Sequence, residues 1–145
     1  MTEIIGNLWN QPTADAVCIT TNGYVKNSGY AVMGRGCAKE AVTKMPTISR
    51  ILGKRILRDG NHVFVLATHN HQAVVSFPVK HSWWEQADSE LIRRSAEELV
   101  VLANETGWKR IVIPRPGCGN GRLQWEDVKP LLSCLDDRFE VISFD

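Results

Sequence analysis

Along the chain, apolar residues come either in short dense runs or in spaced stripes, and the two patterns alternate. Ile4-Ile5 and Ala16-Val17-Cys18-Ile19-Thr20 are runs bounded by Gly, Asn and Pro, as buried strands are. The second run ends at Thr21-Asn22-Gly23, after which the chain is glycine-rich and irregular as far as Gly36. Ala38, Ala41, Val42 and Met45 then recur at helical spacing until Pro46 intervenes. Ile48, Ile51, Leu52, Ile56 and Leu57 form a second stripe that closes at Asp59-Gly60. Arg50, Lys54 and Arg55 lie on its other side and read as a solvated face.

Val63 to Ala67 and Ala73 to Phe77, rich in β-branched and aromatic residues, predict two strands joined by a polar turn through His69-Asn70-His71-Gln72. Asp88 can cap a helix whose apolar face is Ile92, Ala96, Leu99, Val100 and Ala103, and Gly107 stands where a C-terminal glycine belongs. Ile111-Val112-Ile113 predicts a further buried strand. Trp125, Val128, Leu132 and Leu135 predict a last helix tolerating Pro130 in its early turns, and Phe139 to Phe144 a closing strand. Strands that alternate with helices and are too apolar to keep one face wet predict an α/β fold of three layers. With 145 residues and no repeat, linker or low-complexity segment, the expectation is one domain over 1–145.

Composition narrows the class without deciding the function. Hydrophobic residues are 43% and charged residues 23%, which excludes collagen-like, mucin-like and strongly disordered chains. The net charge of +1, with no dense basic tract, speaks against generic electrostatic gripping of nucleic acid and mildly against long DNA, while leaving room for a local basic patch. Cysteines at 18, 37, 118 and 134 include no C-x-x-C pair, so a reducing compartment is expected. Met1 to Ile5 carries no basic leader and no apolar run is long enough to span a bilayer, hence the expectation of a cytoplasmic protein with no membrane partner.

Seven of the eleven glycines lie in two stretches, 23–36 and 117–121. Each stretch follows an apolar strand and precedes a helix, so backbone N–H groups and a helix N-terminus can converge there on an anion such as phosphate. Two such loops at the carboxyl edge of one sheet suggest a ligand with two phosphates; the plainer reading is a pair of tight turns. Neither a P-loop nor a G-x-G-x-x-G fingerprint is present, which removes support for nucleotide triphosphate hydrolysis and ordinary hydride transfer.

Val32-Met33-Gly34-Arg35-Gly36, and the stretch from Pro114 through Gly117-Cys118-Gly119-Asn120-Gly121-Arg122 to Leu123-Gln124-Trp125, resemble the macrodomain family. Phe77-Pro78-Val79-Lys80-His81-Ser82-Trp83 is similar to the Pro-x-Lys-x-x-Trp stretch of its DNA-directed members. The resemblance spans nearly the whole chain and implies a three-layer α/β/α module with a mixed sheet that binds ADP-ribose. It points to the branch whose glycohydrolases remove ADP-ribose from protein glutamate or from thymidine in DNA. The first loop would then wrap the distal ribose and one phosphate, the second would hold the other phosphate, and Asn22 would sit near the distal ribose. Asn7 and Leu8 would contact the ligand, Asn7 standing where many macrodomains carry the acidic residue that holds the adenine amino group; an Asn carbonyl accepts the same hydrogen bond. Phe144 matches a position from which an aromatic ring stacks on adenine, its alternative being a core Phe.

For chemistry the resemblance selects Lys80, implied to attack or polarise the anomeric carbon of the distal ribose; desolvation beside aromatic groups would lower its pKa. His81 could shuttle a proton, or be an exposed histidine with no role. Glutamate-directed relatives carry an acidic residue where this chain has Gly121, so the likeness leans towards the DNA-directed subgroup or towards a protein that binds without hydrolysing. Cys118 is either a helix-activated nucleophile or a small side chain packed under the loop. His69-x-His71 lacks a second ligand pair, and no metal or other cofactor is expected. Trp83-Trp84 either stack on a base or close the sheet edge. The expectation is a monomer that binds ADP-ribose and cleaves ADP-ribosyl linkages on DNA or protein, its partner being ADP-ribose or an ADP-ribosylated DNA, protein or small metabolite. An ADP-ribose-1''-phosphate phosphatase and a non-catalytic reader are the alternatives.

Overall fold

A computed structural model describes residues 1–144. Six strands form one sheet: β1 (Thr2–Ile5), β2 (Ala16–Asn22), β3 (Phe64–His69), β4 (Gln72–Lys80), β5 (Ile111–Pro114) and β6 (Phe139–Ser143). Their order is β1-β6-β5-β2-β4-β3, parallel throughout except for β3, which runs antiparallel to β4. The sheet is therefore mixed. Asn70 and His71 join β3 to β4 with φ of 50° and 67°, the paired left-handed residues of a tight hairpin turn.

The unbroken apolar runs are explained by cover on both faces, since successive side chains of a strand point in opposite directions. On one face Ala16, Cys18, Phe77, Ile113 and Val141 pack on α3 (Ser89–Thr106) through Ile92, Ala96 and Leu99. On the other, Val17, Ile19, Val74, Val112 and Ile142 pack on α1 (Gly36–Lys44) and α2 (Ile48–Asp59) through Ala38, Ala41, Ile48 and Leu52. Three layers result, as the sequence predicts. Asp88 caps α3 by accepting from the Glu90 amide at 2.9 Å, and Gly107 ends it in the left-handed conformation.

The predicted last helix is shorter and tighter than its stripe suggests. It comprises α4 (Trp125–Val128) followed by a 3-10 turn over Lys129–Leu132. Pro130 has no N–H to give and its ring crowds the preceding turn, so the α-helical ladder stops while Val128, Leu132 and Leu135 still reach the core. No described helix is long and apolar enough to cross a membrane.

One irregularity sets the position of the site. The β2–β4 register shifts between Thr21 and Asn22, so that Asn22 lies opposite Lys80. Those two residues end adjacent strands at the carboxyl edge of the sheet.

Candidate functional site

A cavity of about 1250 Å³ opens at that edge. Both glycine stretches reach it, 32–36 from the first and 117–122 from the second, together with Leu8, Asn22, Lys80, Pro114 and Phe144. Two proposed contacts are not on its wall. Asn7 turns its Oδ1 to the Trp9 amide at 2.9 Å, leaving Gly6 and Leu8 to face the cavity. His81 is exposed and its Nε2 lies 2.7 Å from Asp88 Oδ2, which places the imidazole at the start of α3, off the cavity wall.

The first loop is pinned from within. Asn22 Nδ2 donates to the Val32 carbonyl at 3.0 Å and its Oδ1 accepts from the Tyr24 amide at 2.9 Å, which holds the ends of the loop together. The loop then enters α1, which has no side-chain N-cap and no acidic residue in its first turn. An uncapped helix start facing a cavity presents unpaired N–H groups and the positive end of the helix dipole.

In the second loop, the amides of Cys118, Arg122 and Leu123 bond within the loop, to Arg115, Gly119 and Gly117 carbonyls. Among the described residues, the amides of Gly119, Asn120 and Gly121 have no protein acceptor. Gly117 has φ +74°, and a Cβ on Gly121 would lie 2.5 Å from the Gly117 carbonyl oxygen. The loop folds back on itself so closely that a side chain at 121 is excluded, whatever its chemistry.

Lys80 stands between the loops. Its Nζ donates to the Asn120 carbonyl at 3.0 Å and to the Trp83 carbonyl at 3.4 Å. Burial, then the neighbouring charges of Arg122 and Arg35, hold its pKa below the usual lysine range. Arg115, also on the wall, is committed elsewhere: it lies 3.6 Å from Glu3 and its guanidinium is 5.0 Å from the Trp125 ring centre.

Cys118 is the plainer of its two readings. Burial raises its thiol pKa, and its Sγ donates to the Pro116 carbonyl at 3.6 Å. Cys37, at the start of α1, likewise has a raised pKa from burial, and its Sγ accepts from the Thr20 amide at 3.3 Å. Phe144 is 79% exposed, which excludes the core reading, and it lies on the cavity wall just beyond β6. Trp83 and Trp84, just beyond the end of β4, line the cavity, while the edge strands of the sheet are β1 and β3. His69 pairs with Gln72 in the hairpin, and among the described residues no cluster of three His, Cys, Asp or Glu side chains could hold a metal.

Sequence reasoning missed Thr21. It is 5% exposed, lines the cavity, and its Oγ1 has no hydrogen-bond partner in the protein. A buried hydroxyl left unpaired costs about 1–3 kcal/mol, which a ligand would relieve. The signal was two threonines closing an apolar strand, indistinguishable by pattern from ordinary β-formers.

The Macro domain family matches residues 29–132, most of the chain. Two DNA ADP-ribosyl glycohydrolases, from Mycobacterium bovis (strain BCG / Pasteur 1173P2) and Mycobacterium tuberculosis (strain ATCC 25618 / H37Rv), are each 27% identical over 107 residues, 70% of this chain. The match spans about 30% of the length of those curated relatives. Among solved structures, the macrodomain of Mycobacterium tuberculosis DarG superposes with TM-score 0.79 at 24% identity, over 97% of this chain and 95% of that one. Thermosipho africanus DarTG in complex with ADP-ribose gives TM-score 0.79 at 20% identity, over 97% of this chain and 40% of that one. The strand order, the two loops at one sheet edge and the extent of the family match lead to one conclusion: the chain belongs to the Macro domain family.

Proposed function

We propose that this chain binds ADP-ribose and hydrolyses an ADP-ribosyl linkage, with a base of DNA as the acceptor. The observation that carries the reading is the convergence of two amide-rich loops on one cavity with Lys80 between them. Free N–H groups at residues 119–121 and at the start of α1 suit the two phosphates of the ligand. The names of the mycobacterial relatives support the DNA acceptor.

Lys80 is the reactive group in this reading. Attack of its neutral amine on the anomeric carbon forms a C–N bond as the bond to the base breaks, and water then cleaves that adduct to release ADP-ribose and restore the amine; the lowered pKa enlarges the neutral fraction at neutral pH. In the protonated form the same nitrogen would stabilise charge on the departing base. The acid-base group that Gly121 cannot supply is not replaced by His81, so water and Lys80 carry the proton traffic.

The test is release of ADP-ribose from an ADP-ribosylated thymidine oligonucleotide, an ADP-ribosylated protein and ADP-ribose-1''-phosphate. Release from the oligonucleotide, lost in Lys80→Ala with ADP-ribose binding retained, is the expected result. Binding without release from any of the three would leave a reader, and phosphate release alone a phosphatase.

A further inference from the structure

The mouth of the cavity carries three aromatic side chains to which the hydrolytic reading gives no task. Trp83 and Trp84 are 53% and 56% exposed, and Tyr24 is 39% exposed. They touch one another: Tyr24 and Trp84 ring centres are 5.5 Å apart at 68°, and Trp83 and Trp84 are 5.4 Å apart at 88°. Two indoles at a right angle make a corner, in which a flat ring laid on one face meets the other side chain at its edge. The corner adjoins Lys80, whose amine donates to the Trp83 carbonyl at 3.4 Å.

Charge on the same wall is one-sided. Lys26, Arg35 and Arg122 line the cavity, and their side chains have no acceptor among the described residues. Glu40 is the one carboxylate among the described lining residues. Half-exposed aromatic rings on the same cavity wall as unpaired cations are the combination that holds single strands, bases stacking while phosphates meet the cations. A duplex keeps its bases stacked on each other, and an acidic peptide would use the cations but leave the indoles idle. The cavity's 1250 Å³ also exceeds the roughly 300–1,000 Å³ usual for a small-ligand pocket, which leaves space for an acceptor.

We propose, building on the hydrolytic reading above, that Tyr24, Trp84 and Trp83 form a stacking corner for an unpaired base of the acceptor strand, with Lys26, Arg35 and Arg122 taking up its phosphates. The corner would favour a strand whose bases are free to leave their stack. It would also position the modified nucleotide against Lys80.

The test is binding of an unmodified, end-labelled oligothymidylate, followed by anisotropy and by indole fluorescence, with ADP-ribose calorimetry on each variant. The expected result is binding that quenches the indoles and weakens roughly ten-fold in Trp83→Ala and in Trp84→Ala, with ADP-ribose affinity retained. Trp84→Phe, which keeps a π-face, should recover most of the loss, and a duplex of matching sequence should bind more weakly. Lys26→Gln should lower the slope of log K against log salt by about one. Oligonucleotide binding unchanged by both tryptophan substitutions would overturn the proposal, as would its absence in protein that binds ADP-ribose. Tighter binding of a glutamate-rich peptide would overturn it in favour of a protein acceptor. Protein that binds no ADP-ribose would remove the hydrolytic reading itself.

Discussion

Replacing Gly121 by alanine separates the shape of the second loop from its composition. The added methyl would lie 2.5 Å from the Gly117 carbonyl oxygen, 2.6 Å from its Cα and 2.7 Å from its carbonyl carbon, all backbone atoms. A carbon–oxygen contact is comfortable near 3.3–3.6 Å, so about 1 Å must be found by moving the loop. Neither end yields freely: Gly117 O accepts from the Leu123 amide at 2.9 Å and Gly121 O from the Ala87 amide at 3.0 Å. Overpacking of this kind costs about 1–3 kcal/mol, and at 145 residues each kcal/mol lowers Tm by about 3 °C. The same shift turns the free amides of 119–121 away from a bound phosphate. Losing two charge-assisted hydrogen bonds, each worth about 1.5–3 kcal/mol, weakens ADP-ribose by at least a hundred-fold. Gly119→Ala is the control, since a Cβ there meets nothing within 4 Å and stability should change by less than about 0.5 kcal/mol. Thermal unfolding and ADP-ribose calorimetry on both variants provide the readout. A Gly121→Ala protein that unfolds at the parent temperature and keeps parent affinity would refute the reasoning.

The remaining predictions concern Lys80, Asp88 and Thr21. Because the Lys80 pKa is depressed in the folded chain, the folded state gives up that proton before the unfolded one. Lys80 therefore makes stability rise with pH in the alkaline window between the two pKa values, and Lys80→Met should flatten that slope in melts across pH. The kcat/KM for hydrolysis should likewise rise with pH to a midpoint below the usual lysine range. Asp88→Ala removes an N-cap and should lower stability by about 1 kcal/mol, whereas His81→Ala should leave the hydrolytic rate unchanged, measured by melts and turnover. Thr21→Val removes an unpaired buried hydroxyl, so Tm should hold or rise while ADP-ribose affinity falls, read by melts and calorimetry.

Much of the fold was written in local pattern. Val17 and Ile19 against Ala16 and Cys18 form one uninterrupted apolar run because each neighbour buries its side chain in a different layer, and that continuity is what predicts helices on both faces. Gly107 and Asp88 mark the ends of α3 because cap chemistry is local. The last helix misled because a stripe of Val128, Leu132 and Leu135 serves a 3-10 turn as well as an α-helix, and Pro130 decides between them. In the site, the glycine loops were legible because a strand, a glycine cluster and a helix start follow each other in sequence. What escaped depends on which partner each side chain finds once the chain is folded, whether near in sequence or far. Asn7 and His81 find Trp9 and Asp88 instead of the cavity, Thr21 is left without a partner, and the Trp83-Trp84 pair, just beyond the end of β4, stays exposed.

The central claim is that the loops around Gly34 to Gly36 and Gly119 to Gly121 grip one pyrophosphate from two sides. Calorimetric titration with ADP-ribose, ADP and adenosine addresses it most directly. The account predicts saturable heat with ADP-ribose, weaker binding of ADP, and none with adenosine at the same concentrations. Equal heats for adenosine and ADP-ribose, or no heat with any of the three, would contradict it.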